Sequence, residues 1–173
     1  MKLGQRGFTY VEMALVVFIL ATVGGAATQA TFQVLKTSER YNNHMTAVRQ
    51  VQNTGYRIAR DARMAQTIDT DNLTSPNFLE LSWTKAETGD HYQVIYTLES
   101  VPGSSLKRLF RSQSVNGGPA DTAFVAHYLE ADAAKTRCEF SGGRLTLTVT
   151  ATVGAGIPQK SEGRTYKFVP RPG

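Results

Sequence analysis

The stretch Gly7-Phe-Thr-Tyr-Val-Glu12-Met-Ala-Leu-Val-Val-Phe-Ile-Leu-Ala21, continuing uncharged to Leu35, decides how this chain is read. Residues 13–35 are 23 in number and carry no ionisable side chain. A helix of that length covers about 35 Å, enough to cross a hydrocarbon core of about 30 Å. Gly24, Gly25 and several Thr dilute the segment, yet a soluble core helix rarely stays uncharged for so long. Lys2 and Arg6 precede it, and cations on that side hold the N-terminus in the cytoplasm and send the rest outward. A secretory signal peptide shares the cationic start, but its apolar stretch runs to only about 7–15 residues. The stretch here is longer and holds a carboxylate, Glu12. An ionised Glu deep in lipid is costly unless paired. One turn into the helix it can escape toward the headgroups, but an acid at this position still asks for a reason.

These residues resemble the type IV pilin, type II secretion pseudopilin and competence pilin superfamily. Its hallmark is a short basic leader ending in Gly, then Phe, then Glu four positions later, leading into an apolar helix. Gly7, Phe8, Thr9 and Glu12 match residue for residue, while Tyr10 replaces the commoner Leu and Met13 the usual aliphatic. The resemblance implies cleavage between Gly7 and Phe8 by a membrane-embedded prepilin peptidase, which also N-methylates Phe8. An inner-membrane assembly platform, driven by a cytoplasmic ATPase, would then lift the chain from the bilayer into a fibre of pilin or pseudopilin subunits. The physics of each residue agrees with that role. Gly7 has no side chain to keep the scissile backbone from the protease. Glu12 can pair with the amine of Phe8 in a neighbouring subunit, because opposite charges attract strongly in low dielectric and either is expensive to leave alone.

Beyond the apolar segment, residues 36–68 read as the amphipathic half of the same helix. Leu35, Tyr41, Met45, Val48, Val51, Gly55, Ile58, Ala59, Ala62 and Ala65 recur at steps of mostly three and four and form one stripe. Glu39, Arg40, Asn42, Arg49, Arg57, Arg60 and Asp61 are placed on the wet side. No Pro occurs before Pro76, and the turn-like cluster at 69–76 predicts a helix end near Ile68. Such a helix spans about 90 Å, more than a bilayer, so its outer half is expected to pack on a soluble domain.

After Pro76 the period changes from 3.6 to 2. Alternation at 78–83, 92–98 and 106–111 predicts strands, with a turn at 101–105 joining the last two. Another strand is expected over 123–129. Residues 137–140 and 144–153 form a hairpin through Ser141-Gly142-Gly143, and a final strand covers 163–169. The Thr alternation after Arg144 suits a half-exposed strand. The predicted architecture is therefore α+β. A leader (1–7) and an apolar helix (8–35) precede the amphipathic half (36–68), which packs on an antiparallel β domain (69–173). The Arg-rich helix end, the paired strands and the late Leu-Thr-Leu-Thr-Val run also resemble, more loosely, the J-type minor pseudopilins. That likeness implies a minor subunit that joins others at the fibre tip.

Composition closes off other classes. The formal charge is +5, but the cations are dispersed, and nucleic acid is not an expected partner without a basic face. The tight group Lys107, Arg108 and Arg111 reads as a solvated strand face. Cys138 is the one cysteine, so no internal disulfide forms; it reads as a small core residue, with an intermolecular bridge as the alternative. His44, His91 and His127 are scattered and no metal or cofactor is implied. Asp69, Asp71 and Asn72 lack calcium-loop spacing and read as helix-terminating, while Asp90, His91 and Asp132 read as surface residues. No nucleophile, Walker or dinucleotide motif occurs, so a non-enzymatic role is expected. Two alternatives to the fibre subunit stay open: a minor pilin whose β domain binds DNA or a surface, and a plain single-pass anchored protein.

Overall fold

The computed structural model describes residues 9–156 and 158–170. One helix, α1 (Tyr10–Met64), leads into eight strands: β1 (Thr67–Asp69), β2 (Asn77–Thr84), β3 (His91–Ser100), β4 (Leu106–Val115), β5 (Asp121–Glu130), β6 (Arg137–Ser141), β7 (Arg144–Val153) and β8 (Lys160–Phe168). The fold is α+β, as expected. The helix contributes to two compact units, Met1–Tyr41 and Asn42–Gly173.

In the first unit every described residue is exposed, including Phe18, Leu20, Val23, Phe32 and Val34. Within it, residues 13–35 form an uncharged helical stretch that no other described residue covers. α1 is long and apolar enough to cross a membrane. The hydroxyls that dilute the segment are satisfied within it. Thr22 donates to the carbonyls of Phe18 (3.1 Å) and Ile19 (2.9 Å), Thr28 to Gly24 (2.8 Å) and Thr31 to Ala27 (3.0 Å). Back-bonding of this kind removes the penalty a bare hydroxyl would meet in hydrocarbon.

In the second unit, helix residues 42–64 pack on one antiparallel sheet of order β1-β2-β3-β4-β5-β7-β6, with β8 on the other side of β7. β7 is the organising strand. It pairs with β8 from Leu145↔Phe168 to Val153↔Lys160. Its opposite edge is shared by β6, up to Arg137↔Thr148, and β5, through Leu129↔Ala151. Bulges in the β4–β5 ladder near Leu109, with Tyr128 at φ 61°, bend β5 toward β7, since an inserted residue kinks and twists its strand. The sheet curls enough for the Phe140 N–H on β6 to reach Thr70 Oγ1, just past β1 (3.3 Å). Where β5 leaves its partner, helix side chains take over its backbone. Asn53 Nδ2 donates to the Val125 carbonyl (2.5 Å), and Gln50 Oε1 accepts the His127 N–H (2.9 Å), leaving neither group orphaned.

Ala47, Val51, Ile58 and Ala62 meet Leu79, Leu81, Val94, Leu109, Leu129, Leu147 and Val149 in one fully buried core. The expected stripe is thus correct from mid-helix onward, but Leu35 and Tyr41 are exposed. Gly55 sits in this stripe for a reason the sequence does not disclose. The Tyr166 ring lies over it, and a Cβ there would come within 2.5 Å of ring carbon. We expect Gly55→Val to destabilise the fold by about 2 kcal/mol through overpacking. Urea unfolding of the detergent-solubilised chain measures this, and an unchanged midpoint would show that Tyr166 simply swings aside.

All the predicted strands are present, several of them longer than expected. Gly142 (φ 58°) and Gly143 (φ 72°) form the β6–β7 turn that needs two left-handed residues in succession. Two expectations require correction. α1 ends at Met64, not near Ile68, because the chain switches to pairing with β2. The Gln66 N–H donates to the Ser82 carbonyl (2.8 Å), and Thr67↔Ser82 opens the β1–β2 ladder. Asp69 therefore ends a strand, and its Oδ1 accepts the N–H groups of Asp71 (3.0 Å) and Asn72 (3.1 Å). The second correction concerns Asp61 and Arg111, which were assigned to solvated faces and are both buried.

Candidate functional site

Of the sequence-derived site residues, Lys2, Arg6, Gly7 and Phe8 lie outside the described residues. Glu12 is exposed in the first turn of α1. The Thr9 N–H (2.8 Å) and Thr9 hydroxyl (2.9 Å) both donate to Glu12 Oε2, and the Glu12 N–H donates to Thr9 Oγ1 (3.3 Å). This is a reciprocal capping box, in which Thr at the N-cap and Glu three residues later satisfy each other's backbone donors. A negative charge at the positive end of the helix dipole is favourable as well. In a single chain the Glu12 carboxylate is therefore occupied locally.

A second polar centre, missed by sequence reasoning, lies inside the β unit. Asp61 on α1 is wholly buried, and Arg111 on β4 is 9% exposed. Arg111 Nε donates to Asp61 Oδ2 at 2.5 Å, and the Tyr96 hydroxyl of β3 donates to the same oxygen at 2.7 Å. Arg60 Nε approaches the other oxygen, Oδ1, at 3.4 Å. Arg111 Nη2 donates to Gln113 Oε1 at 2.7 Å. Burial, then the Asp61 carboxylate, push the Tyr96 phenol well above its ordinary range. Burial opposes the charge of Arg111, but the Asp61 hydrogen bond and charge outweigh it and raise the guanidinium pKa. Spacing places both residues on inward positions. Asp61 lies three residues after Ile58 on the buried stripe, and Arg111 lies two after Leu109 on the inward face of β4. Their charge led to the opposite reading.

Above this pair opens a cleft of about 830 Å³, between the last turns of α1 (Arg60, Arg63, Met64) and the β2–β3 hairpin (Trp83, Lys85, Tyr92). Trp83 and Tyr92 face each other across the strands, stacked at 5.5 Å and 4°.

The other sequence candidates carry no centre. With Arg111 turned inward, Lys107, Arg108 and Arg111 do not share one basic face. Cys138 is half-buried against the core, and burial pushes its thiol up to about 12, so it holds little thiolate at neutral pH. Asp90 accepts from Asn116 Nδ2 (2.8 Å) at the β3–β4 end. Among the described residues no group of three or more His, Cys, Asp or Glu could hold a metal.

No known family, curated protein or solved structure matches the chain.

Proposed function

We propose that this chain is a minor pilin or pseudopilin, a structural subunit rather than an enzyme, built into a type II secretion pseudopilus or a type IV pilus. The observation that carries the reading is the run Gly7-Phe8-Thr9 with Glu12, leading into an uncharged helical stretch, residues 13–35, none of whose residues is buried. Prepilin peptidase cuts between Gly7 and Phe8 and methylates the new amine. The subunit waits as a single-pass membrane protein, its N-terminus cytoplasmic and its β unit extracytoplasmic, until the assembly platform draws it into a fibre. In that fibre the exposed apolar helices cover one another, and Glu12 pairs with the Phe8 amine of a neighbour. An α+β unit built on the second half of α1 supports the same reading, since it gives each subunit a folded outer body.

N-terminal peptide mass spectrometry of the protein extracted from native membranes tests this directly. The expected product starts at Phe8 and carries one added methyl group. A chain still starting at Met1 would replace the proposal with a plain anchor, and a cut beyond Leu20 would replace it with a signal peptide.

A further inference from the structure

The cleft beside Trp83 has a chemistry of its own, independent of the N-terminal reading. Each carboxylate group and each glutamine amide oxygen of its wall has at least one partner, though the Glu87 carboxylate stays largely exposed. Asp61 is held by Arg111 and Tyr96, and Glu87 pairs with Lys85 at 3.4 Å. Gln66 Oε1 accepts the Thr84 N–H (3.0 Å), and Gln113 Oε1 accepts from Arg111. The polar groups left over are donors. Among the described residues Arg63 has no carboxylate partner, Arg60 has only its 3.4 Å contact to Asp61, and both glutamines bond through Oε1, which leaves their NH2 groups to donate. The helix dipole accounts for a cation in the last turn of α1, but not for four donor-bearing side chains, Arg60, Arg63, Gln66 and Gln113, lining one concavity. The remaining wall is apolar, formed by Met64 and the Trp83–Tyr92 stack. The volume lies within the range of small-ligand sites, about 300–1,000 Å³.

We infer that this cleft binds a carboxylate-bearing peptide segment, with an acidic side chain held by the Arg60 and Arg63 guanidiniums and an adjoining aromatic side chain against Met64 and Trp83. Guanidinium forks match carboxylates in a bidentate fashion, and the glutamine amides are suited to donate to backbone carbonyls of the segment. Single-stranded nucleic acid would need a basic track along which successive bases stack. Here the cations are confined to one cleft, and Trp83 and Tyr92 each give one ring face to the other.

Trp83 is the one tryptophan in the chain, so its fluorescence reports on the cleft without a label. The experiment titrates the detergent-solubilised full chain with the capped peptide Gly-Glu-Phe-Asp-Gly, its Gln/Asn isostere, free acetate and oligo(dT). We expect saturable change in Trp83 emission with the acidic peptide. Binding should weaken by about tenfold or more with the isostere and with Arg63→Gln, the scale of one lost charge-assisted hydrogen bond. Acetate at equal concentration should leave the emission unchanged, since it lacks the aromatic half; an equal response to acetate would reduce the site to a bare anion contact and overturn the peptide assignment. Equal binding of the isostere, no saturable response, or saturation by oligo(dT) alone would also overturn it. Unfolding midpoints check that Arg63→Gln folds. Arg60→Gln provides the same comparison should it not, and full binding by a folded variant of either kind would count against the site.

Discussion

Arg111→Ala is expected to lower the unfolding free energy by about 3–5 kcal/mol, the usual cost of stranding one member of a buried ion pair. Domains of this size are stable by only about 5–15 kcal/mol, so the variant would sit near the edge of folding. The cost comes from Asp61. Without Arg111 its carboxylate stays wholly buried, keeping the Tyr96 hydroxyl and a 3.4 Å contact to Arg60 but losing its closest counter-ion. Asp61→Leu combined with Arg111→Met should recover most of the loss, because an apolar pair has no charge to desolvate. Urea unfolding followed through Trp83 measures Arg111→Ala, the double variant and its two single components, Asp61→Leu and Arg111→Met. If the double variant were as unstable as the sum of the singles, the pair would be uncoupled and the argument would fail. Tyr96 adds a pH dependence. Its phenol ionises well above the ordinary 10.0 because of burial, then the Asp61 charge. The stability from keeping it protonated is complete below that value and is lost as pH rises past it, by about 1.4 kcal/mol per pH unit. Tyr96→Phe should flatten that alkaline slope.

On the proposed function, Glu12→Gln should cut incorporation into fibres by at least about tenfold while leaving the amount of membrane-inserted chain unchanged. The choice of Gln separates two roles of one side chain. At the third helical position Gln serves a capping box as Glu does, so the contacts with Thr9 survive and α1 starts where it did. Only the charge is lost, and with it the pairing to the amine of a neighbouring Phe8. An unpaired ammonium within a helix bundle in lipid is strongly disfavoured, which is why a neutral residue here should block subunit entry. Immunoblots of sheared fibres against membranes give the ratio. Full incorporation of the Gln variant would reduce Glu12 to a helix cap and remove its assembly role.

The uncharged run at 13–35 determined an exposed apolar helix by itself, because the absence of ionisable groups over that length is a solvation property each residue carries alone. Period-2 alternation determined strands such as β2, β3 and β7 for a similar reason: side chains on a strand alternate faces wherever the strand goes, and the Leu145-Thr-Leu-Thr-Val149 run shows its buried Leu and Val between half-exposed Thr. The Gly142-Gly143 turn was legible because it needs two left-handed residues side by side. The tertiary structure alone decided what depended on a distant partner. Local reading puts a charge in water. Whether Asp61 can be buried instead is settled by Arg111, fifty residues along the chain, and by Tyr96. The end of α1 likewise depended on the edge of β2, which draws residues 66–69 out of the helix by offering them backbone hydrogen bonds. The cleft at Trp83 exists only because those two long-range events bring the helix end, the β2–β3 hairpin and the buried pair together.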